Sequence, residues 1–581
     1  MKLSFADYFR GVDKVKGIKT FVLIVLMAIF EVAGIASIMP FIGFLANPEV
    51  FLESIFMVVF FDIFSFDKNN FYSSIALSIG LFSLSVLTIT LLIRSFTTYK
   101  LNIFIEETRH AMSTNLMKEY LGVNYKYITN NNSSKFTKAI LSEVDQFIGQ
   151  VFRPVILMLA YIVVAISVIS FLLIYNWKIT LTIVIVFSIS YFVVYKFLKN
   201  ILNKLGEQVV QTNEARFSTA SEVTSGIKAI KIFQSEEVFK NRFFKASLDF
   251  SKAQAGKQSI TLIPNDFIEF LVFGGSIAGV LLYIFYFTPV ESGAISEIFA
   301  PLTVFALAAY RLKPALFNIF IGLSSFRFGD AIVRSLKNLK KELQHNQAIK
   351  QKPKKHTKFK KLNISNLTFR YAKNLEPVLK DQDLEIRLGE FIGIIGPSGS
   401  GKSTLVDILI GLLEPETGFE SIDDLIIKNN DNSWQGLFGY VPQDIFILDD
   451  NFYTNVAFGE QNIDKHKVIE ACKQAKLHEF IINNHDSGYD ANLGERGMKI
   501  SGGQKQRLGI ARALYFKPKV LILDEGTSAL DQKIEDEILS SLEALKGKIS
   551  IIMITHRPST LKICDKVIEL KDGCLNKISE S

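Results

Sequence analysis

Hydrophobic and polar positions divide the chain into two unlike halves. Six apolar runs recur before residue 327, approximately Thr20–Ala46, Phe71–Tyr99, Pro154–Tyr175, Ile179–Tyr195, Phe270–Val290 and Ile298–Phe326. A helix needs about 20 apolar residues to cross roughly 30 Å of hydrocarbon, and each run meets or approaches that length. The third and fifth runs carry no charged residue at all. The pattern predicts an all-α membrane domain with six spans over 1–326, the end of a helix followed by a linker over 327–362, and a second domain over 363–581. In that second domain the period changes. Short apolar runs at 391–395, 438–441, 520–524 and 550–555 alternate with helical stretches. That alternation predicts an α/β fold with a largely parallel sheet and a helical insertion between about 445 and 515.

The stretches 100–153 and 196–263 between spans are helical in pattern and poor in breakers, so they extend the membrane helices beyond the bilayer. Each has a polar interruption, Asn124–Ser134 in one and Ser218–Gly226 in the other. These are candidate contacts with the second domain or solvent-facing turns. Val50–Phe66 carries Phe51, Phe56, Phe60, Phe61, Phe64 and Phe66. It reads either as an amphipathic helix on the outer membrane surface or as a loop packed on its own protein.

Charge sets the orientation. Lys2, Arg10, Lys14, Lys16 and Lys19 precede the first run, and basic residues return at 100–153 and 196–263, whereas 47–70 and 288–297 are acidic or nearly uncharged. Basic loops stay inside, which puts both termini, the two long loops and the second domain in the cytoplasm. The basic stretch Lys352–Lys361 follows a membrane span, so it reads as a solvated or anionic-lipid-facing segment rather than a nucleic-acid site. The composition agrees with a membrane protein: 49% apolar residues, mean hydropathy +0.26 and net charge +8. Cys472, Cys564 and Cys574 lack metal-ligand spacing and fit a reducing compartment. The first apolar run exceeds signal-peptide length and reads as an uncleaved span.

The chemistry lies in the second half. Gly396-Pro397-Ser398-Gly399-Ser400-Gly401-Lys402-Ser403-Thr404 fits G-x-x-x-x-G-K-S between an apolar strand and a helix. That is the context of a phosphate-binding loop: glycines bring backbone N–H groups around the phosphates at a helix N-terminus. Lys402 would reach the β- and γ-phosphates of ATP, and Ser403 would ligand Mg²⁺. Val520–Leu523 is an apolar strand that ends in Asp524 and Glu525. Asp524 suits Mg²⁺ binding, and Glu525 is placed to orient or deprotonate the attacking water.

With Ile500-Ser501-Gly502-Gly503-Gln504 added, the sequence resembles the ATP-binding cassette family, whose signature is L-S-G-G-Q, with Ile here for Leu. The resemblance implies a head-to-tail cassette dimer in which Ser501, Gly502, Gly503 and Gln504 complete the ATP site of the partner chain. It also implies roles for Tyr371 as the aromatic stacked on adenine and Gln443 as the residue that senses Mg²⁺. Ser528–Asp531 resembles the loop between cassettes, His556 the switch histidine on the γ-phosphate, and Glu495–Gly497 the segment that contacts the membrane loops. Catalysis would rest on Glu525, His556, Lys402 and Gln443. Six spans followed by one cassette is the layout of an exporter half-transporter, so the expected assembly is a homodimer in the cytoplasmic (inner) membrane.

Charged residues within spans are costly and mark functional candidates. Glu31, Arg94, Glu269 and Arg311, with Lys313 nearby, stand out. Arg94 and Arg311 read as a basic site for an anionic group such as phosphate or pyrophosphate; Glu31 and Glu269 read as intraprotein partners. The membrane half resembles bacterial flippases of lipid-linked oligosaccharides at Glu31–Ala33 through Met39–Ile42, at Leu307–Pro314 and in the Phe-rich segment. The implied cargo is an amphiphile with a pyrophosphate head. Other lipids, peptides or drugs, and an ATP-gated channel or regulator, are the alternatives.

Overall fold

The computed structural model describes residues 13–46, 48, 71–131, 136–287, 294–348, 359–371, 375–423, 425–427, 434–525, 532–555 and 557–580. They form two compact units, one of Met1–Leu121 with Ser133–Leu343, the other of Gly122–Asn132 with Gln344–Ser581. The Phe-rich segment, Ser528–Asp531 and His556 lie outside the described residues.

The first unit is built from long helices: α1 (Lys14–Ala46), α2 (Phe71–Leu121), α3 (Arg153–Tyr175), α4 (Trp177–Ile232), α5 (Glu236–Phe287) and α6 (Ala294–His345). The 56 residues of α4 extend for roughly 84 Å at 1.5 Å per residue, far beyond the hydrocarbon core. Four described helical stretches are long and apolar enough to cross a membrane: Lys14–Leu45, Tyr72–Leu121, Lys138–Tyr175 and Phe305–Ser325. The run at 179–195 lies on the continuous helix α4, and residues 270–287 of the next run lie on α5. Phe21, Ile29, Leu91, Leu92, Phe96 and Phe192 are exposed on these helices, as expected of side chains that face lipid instead of water.

Within this unit α1 packs on α2 and α3, and α4 packs on α5. Met27, Ala28 and Ile35 of α1 meet Val164, Val168 and Leu172 of α3 and Ala308 of α6 in one buried cluster. A Cβ at Gly322 on α6 would overlap Met158 on α3. The small residue lets the two backbones approach, as close helix packing in lipid requires.

One sequence expectation changes. Ser218–Gly226 is not an interruption but lies inside α4; the chain turns later, at Gln234, whose φ is +52°. The helix end expected at the start of 327–362 runs as far as His345, since Ile332, Val333, Leu336, Leu339 and Leu343 are buried at helical spacing on α6. Residues 124–131 are also partly helical. The short helix Tyr125–Thr129 is capped by the Asn124 side chain, which accepts from the Tyr127 N–H at 2.9 Å.

The second unit holds two sheets among the described residues. β1 (Lys361–Phe369), β2 (Leu379–Arg387), β4 (Thr417–Ile422) and β5 (Leu425–Ile427) form an antiparallel sheet of order β2-β1-β4-β5. β3 (Phe391–Ile395), β6 (Phe438–Val441), β7 (Val520–Asp524), β8 (Ser550–Ile554), β9 (Lys566–Lys571) and β10 (Cys574–Glu580) form a second, of order β10-β9-β3-β8-β7-β6. This sheet is parallel except for the β9–β10 hairpin. Its central strands are buried on both faces, which is why they read as unbroken apolar runs. Ile392, Ile394, Ile522 and Ile552 pack with α7 (Lys402–Leu409) and the antiparallel sheet, while Leu521, Leu523, Ile551 and Met553 face the other way. The second face meets the helical insertion, which includes α8 (Lys465–Gln474) and α9 (Gly502–Tyr515), and α10 (Gln532–Glu543).

The segment Gly122–Asn132 belongs to this unit. Ala348 N–H donates to Gly122 O at 2.9 Å, and Lys126 Nζ donates to Arg370 O at 3.3 Å while lying 5.3 Å from the Phe369 ring. The first of the two polar stretches therefore touches the strand that leads to Tyr371; the second belongs to the helical unit.

Candidate functional site

The phosphate-binding loop joins β3 to α7. Gly396, Gly399 and Gly401 adopt φ of +151°, +81° and +102°. At Gly396 a side chain would also overlap Leu570 O, so glycine is required both for conformation and for space. Lys402 Nζ folds over the loop, donating to Gly396 O at 2.7 Å and Pro397 O at 2.9 Å. Ser400 Oγ is buried with no hydrogen-bond partner. A buried hydroxyl without a partner is costly, and a phosphate oxygen would satisfy it. The loop thus fits a nucleotide phosphate chain. Ser398 and Ser403 lie in the same loop-to-helix turn. Tyr371 Oη lies 3.1 Å from Thr404 Oγ1, and its ring meets Phe369 edge-on at 5.1 Å, so the candidate adenine platform stands against the start of α7.

The acidic end of the site comes from β7. Asp524 is buried, and Tyr440 Oη donates to its Oδ2 at 3.4 Å. Burial, followed by the neighbouring charge of Glu525, holds Asp524 above the usual carboxylate range. Asp407 on α7 is pushed up to about 6 by burial and by the Asp524 charge. Carboxylates crowded in this way form a region where a hard cation would be stabilised by oxygen ligands. Asp524, Ser403 and the Gln443 amide oxygen supply such donors.

Glu525 is held firmly. Its φ is +50°, an uncommon conformation for a non-glycine residue. Its N–H donates to Ile554 O at 3.0 Å, and Gln506 Nε2 donates to its carbonyl at 3.2 Å. Gln443 Nε2 donates to Glu525 Oε2 at 2.7 Å. The structure therefore brings Gln443 and Glu525 together. Gln506, Tyr440 and Asp407 were not among the sequence candidates. Gln506 had a signal, three residues into the helix after the signature glycines, but only the fold shows that it clamps Glu525.

The signature opens α9. Ser501 is its N-cap in a reciprocal capping box: Ser501 Oγ accepts from Gln504 N–H at 3.4 Å and Gln504 Oε1 accepts from Ser501 N–H at 2.6 Å. Gly502 and Gly503 occupy the first turn, so their N–H groups lie at the positive end of the helix.

In the helical unit the charged candidates of the apolar runs meet one another. Arg311 Nη1 lies 3.1 Å from Glu31 Oε2, and Arg94 Nη1 lies 3.8 Å from Glu31 Oε1. Both cations already face one buried carboxylate, because α1, α2 and α6 bring positions 31, 94 and 311 to one cavity of about 60 Å³. Lys313 pairs with Glu269.

Comparison with known proteins agrees with this architecture. A family model described as ABC transporter matches residues 379–528, and one described as ABC transporter transmembrane region matches residues 38–309. An ATP-dependent lipid A-core flippase of Ralstonia nicotianae is 27% identical over 488 residues, covering 82% of this chain and 80% of the relative. One from Syntrophus aciditrophicus is 27% identical over 471 residues, covering 81% and 76%. A putative multidrug export ATP-binding/permease protein of Staphylococcus aureus is 39% identical over 214 residues, 37% of each chain. A solved bacterial Atm1-family ABC exporter with ATP bound superposes with a TM-score of 0.75 at 20% identity, covering 97% of this chain and 95% of that one, and shows the shared fold.

Proposed function

The chain belongs to the ABC transporter family as an exporter half-transporter, and from that premise we propose that it uses ATP to move an amphiphile with a phosphate- or pyrophosphate-bearing head across the cytoplasmic membrane, the finer reading being a lipid-linked oligosaccharide. The observation that carries the head-group reading is the convergence of Arg94 and Arg311 on one cavity among membrane helices. Two guanidiniums against a single carboxylate leave a net positive charge, and arginine forks match phosphate oxygens bidentately. The relatives that align over four fifths of this chain are named lipid A-core flippases, which supports a lipid cargo. The multidrug relatives align over 37% of it, too little to decide the cargo of the membrane half.

The cassette supplies the energy. Lys402 and the loop N–H groups would bind the phosphates, and Tyr371 would stack on the adenine. Ser403, Gln443 and Asp524 would hold Mg²⁺, which when bound draws charge from the phosphate oxygens. Glu525, pinned through its backbone, would accept a proton from the attacking water, with His556 on the γ-phosphate. Each chain carries one cassette with its motifs intact, so a symmetric homodimer is the simplest complete assembly. Cross-linking in active membranes that recovers only monomers would refute it. Coupling requires that ATP favour one conformation of the membrane helices over another.

Substrate-stimulated ATPase activity in nanodiscs tests the head-group reading. A lipid-linked oligosaccharide should stimulate the wild type, and Arg94→Ala or Arg311→Ala should raise its half-maximal concentration about 10- to 100-fold, the loss of one charged contact. Equal half-points in all three proteins would contradict the role of the arginines.

A further inference from the structure

Resting on that reading and going beyond it, we propose that Glu31 is the resident counter-ion of the cargo site: it holds Arg94 and Arg311, the anionic head of the cargo competes with it for both, and it thereby sets selectivity for strongly anionic cargo.

Glu31 is 5% exposed on an otherwise apolar stretch of α1. An ionised carboxylate in such a place is costly unless it is paired. Two cations from two other helices supply the pairing, yet neither pair is a tight one. Arg94 at 3.8 Å is beyond hydrogen-bond distance, and Arg311 at 3.1 Å is not aligned for one, since Glu31 Oε2 accepts no hydrogen bond. The guanidinium forks are thus attracted to the carboxylate without being saturated by it. A phosphate group, with more charge and more acceptor oxygens, would make the better partner.

Access and space fit the same reading. The Arg94 side chain is 45% exposed, so a ligand can reach it. The cavity of about 60 Å³ has room for a few waters or a small head group. Among the described residues its titratable lining groups are Glu31 from α1, Arg94 from α2, Tyr161 from α3 and Arg311 from α6, with Thr98 as a further polar neighbour. A second anion beside an ionised Glu31 would bring like charges together where water is scarce, and that costs energy. The carboxylate must therefore yield the arginines when the head group binds. A neutral or zwitterionic head gains too little from the two cations to displace it, whereas a phosphomonoester or pyrophosphate can.

The test uses full-length protein in phosphatidylcholine nanodiscs doped with phosphatidic acid as a defined phosphomonoester lipid, with ATPase stimulation as the readout. Phosphatidic acid should stimulate the wild type. Glu31→Gln, which removes the competing charge and keeps the shape, should lower the half-maximal mole fraction about tenfold, equivalent to about 1.4 kcal/mol. If Glu31→Gln fails to fold, Glu31→Asp serves instead: a carboxylate one methylene shorter grips the arginines less well and shifts the half-point in the same direction by a smaller factor. A half-point that is unchanged or raised in the folded variant, with the wild type responding, overturns the inference and leaves the anionic-head reading standing. No response to phosphatidic acid in either protein overturns both. Stimulation by inorganic phosphate alone would contradict a lipid-borne head group.

Discussion

Glu525→Gln lowers ATP turnover at least about 100-fold while nucleotide binding stays within a few-fold of the wild type. The magnitude follows from the assigned role: a positioned general base contributes roughly 10²- to 10⁴-fold. The amide has the size and shape of the carboxylate but cannot take up the proton. The position is unusually well fixed, with φ of +50°, an N–H bonded to Ile554 O and a carbonyl bonded to Gln506 Nε2. The substitution should therefore leave the backbone in place and the phosphate-binding loop intact. Phosphate release measured beside binding of a fluorescent ATP analogue separates the two effects. Near-normal hydrolysis would remove Glu525 from its role, and loss of binding would assign it a structural one.

Arg557→Ala should destabilise the cassette unit by about 1–3 kcal/mol, less than breaking a fully buried ion pair from one side, because the Arg557 side chain is 35% exposed while its partner Glu535 is buried. Glu535, in the first turn of α10, is 1% exposed. Its carboxylate is paired with Arg557 and accepts from Thr560 Oγ1 at 3.1 Å. Without the cation a negative charge remains in the core between α10 and the segment that follows β8. For a domain of this size each kcal/mol moves the melting temperature by about 2–4 °C, so the cassette transition should fall by roughly 2–12 °C. The double variant Glu535→Leu with Arg557→Met should recover much of the loss, because apolar isosteres often replace a buried pair at little cost. Differential scanning calorimetry of the full-length protein tests both. A shift below about 2 °C for Arg557→Ala would contradict the account of this pair. Arg557 follows His556 directly in the chain, so the ATPase rate is expected to fall along with stability.

What the sequence revealed and what it hid follow from the range of the interactions. The loop at Gly396–Thr404 is legible because its chemistry is local: glycine spacing, a preceding apolar strand and a following helix all fall within a short stretch. The strand ending in Asp524 and Glu525 is legible because a doubly buried strand must be apolar throughout. The cluster of Glu31, Arg94 and Arg311 shows only as isolated charges in apolar runs, since the partners come from three helices far apart in sequence. Ser218–Gly226 is a polar stretch of residues with low helix propensity, yet it continues α4 without a turn. Packing of α4 on α5 overrides that propensity, and Thr219 and Thr224 bond back to Ala215 O and Ala220 O within the helix. In 327–345 the composition is basic and polar and hides how far the helix end runs, yet the buried face of α6 keeps helical period to Leu343. There the period was the better guide, because burial responds to spacing while composition mostly reports the exposed face.

The central claim is ATP-driven movement of a lipid with a pyrophosphate or phosphate head. Its most direct test is flipping of a fluorescent lipid-linked oligosaccharide in proteoliposomes that contain the wild-type protein, with Glu525→Gln as the control. The account predicts ATP-dependent flipping by the wild type and none by the variant. ATP hydrolysis without flipping, or flipping that persists in Glu525→Gln, would contradict it.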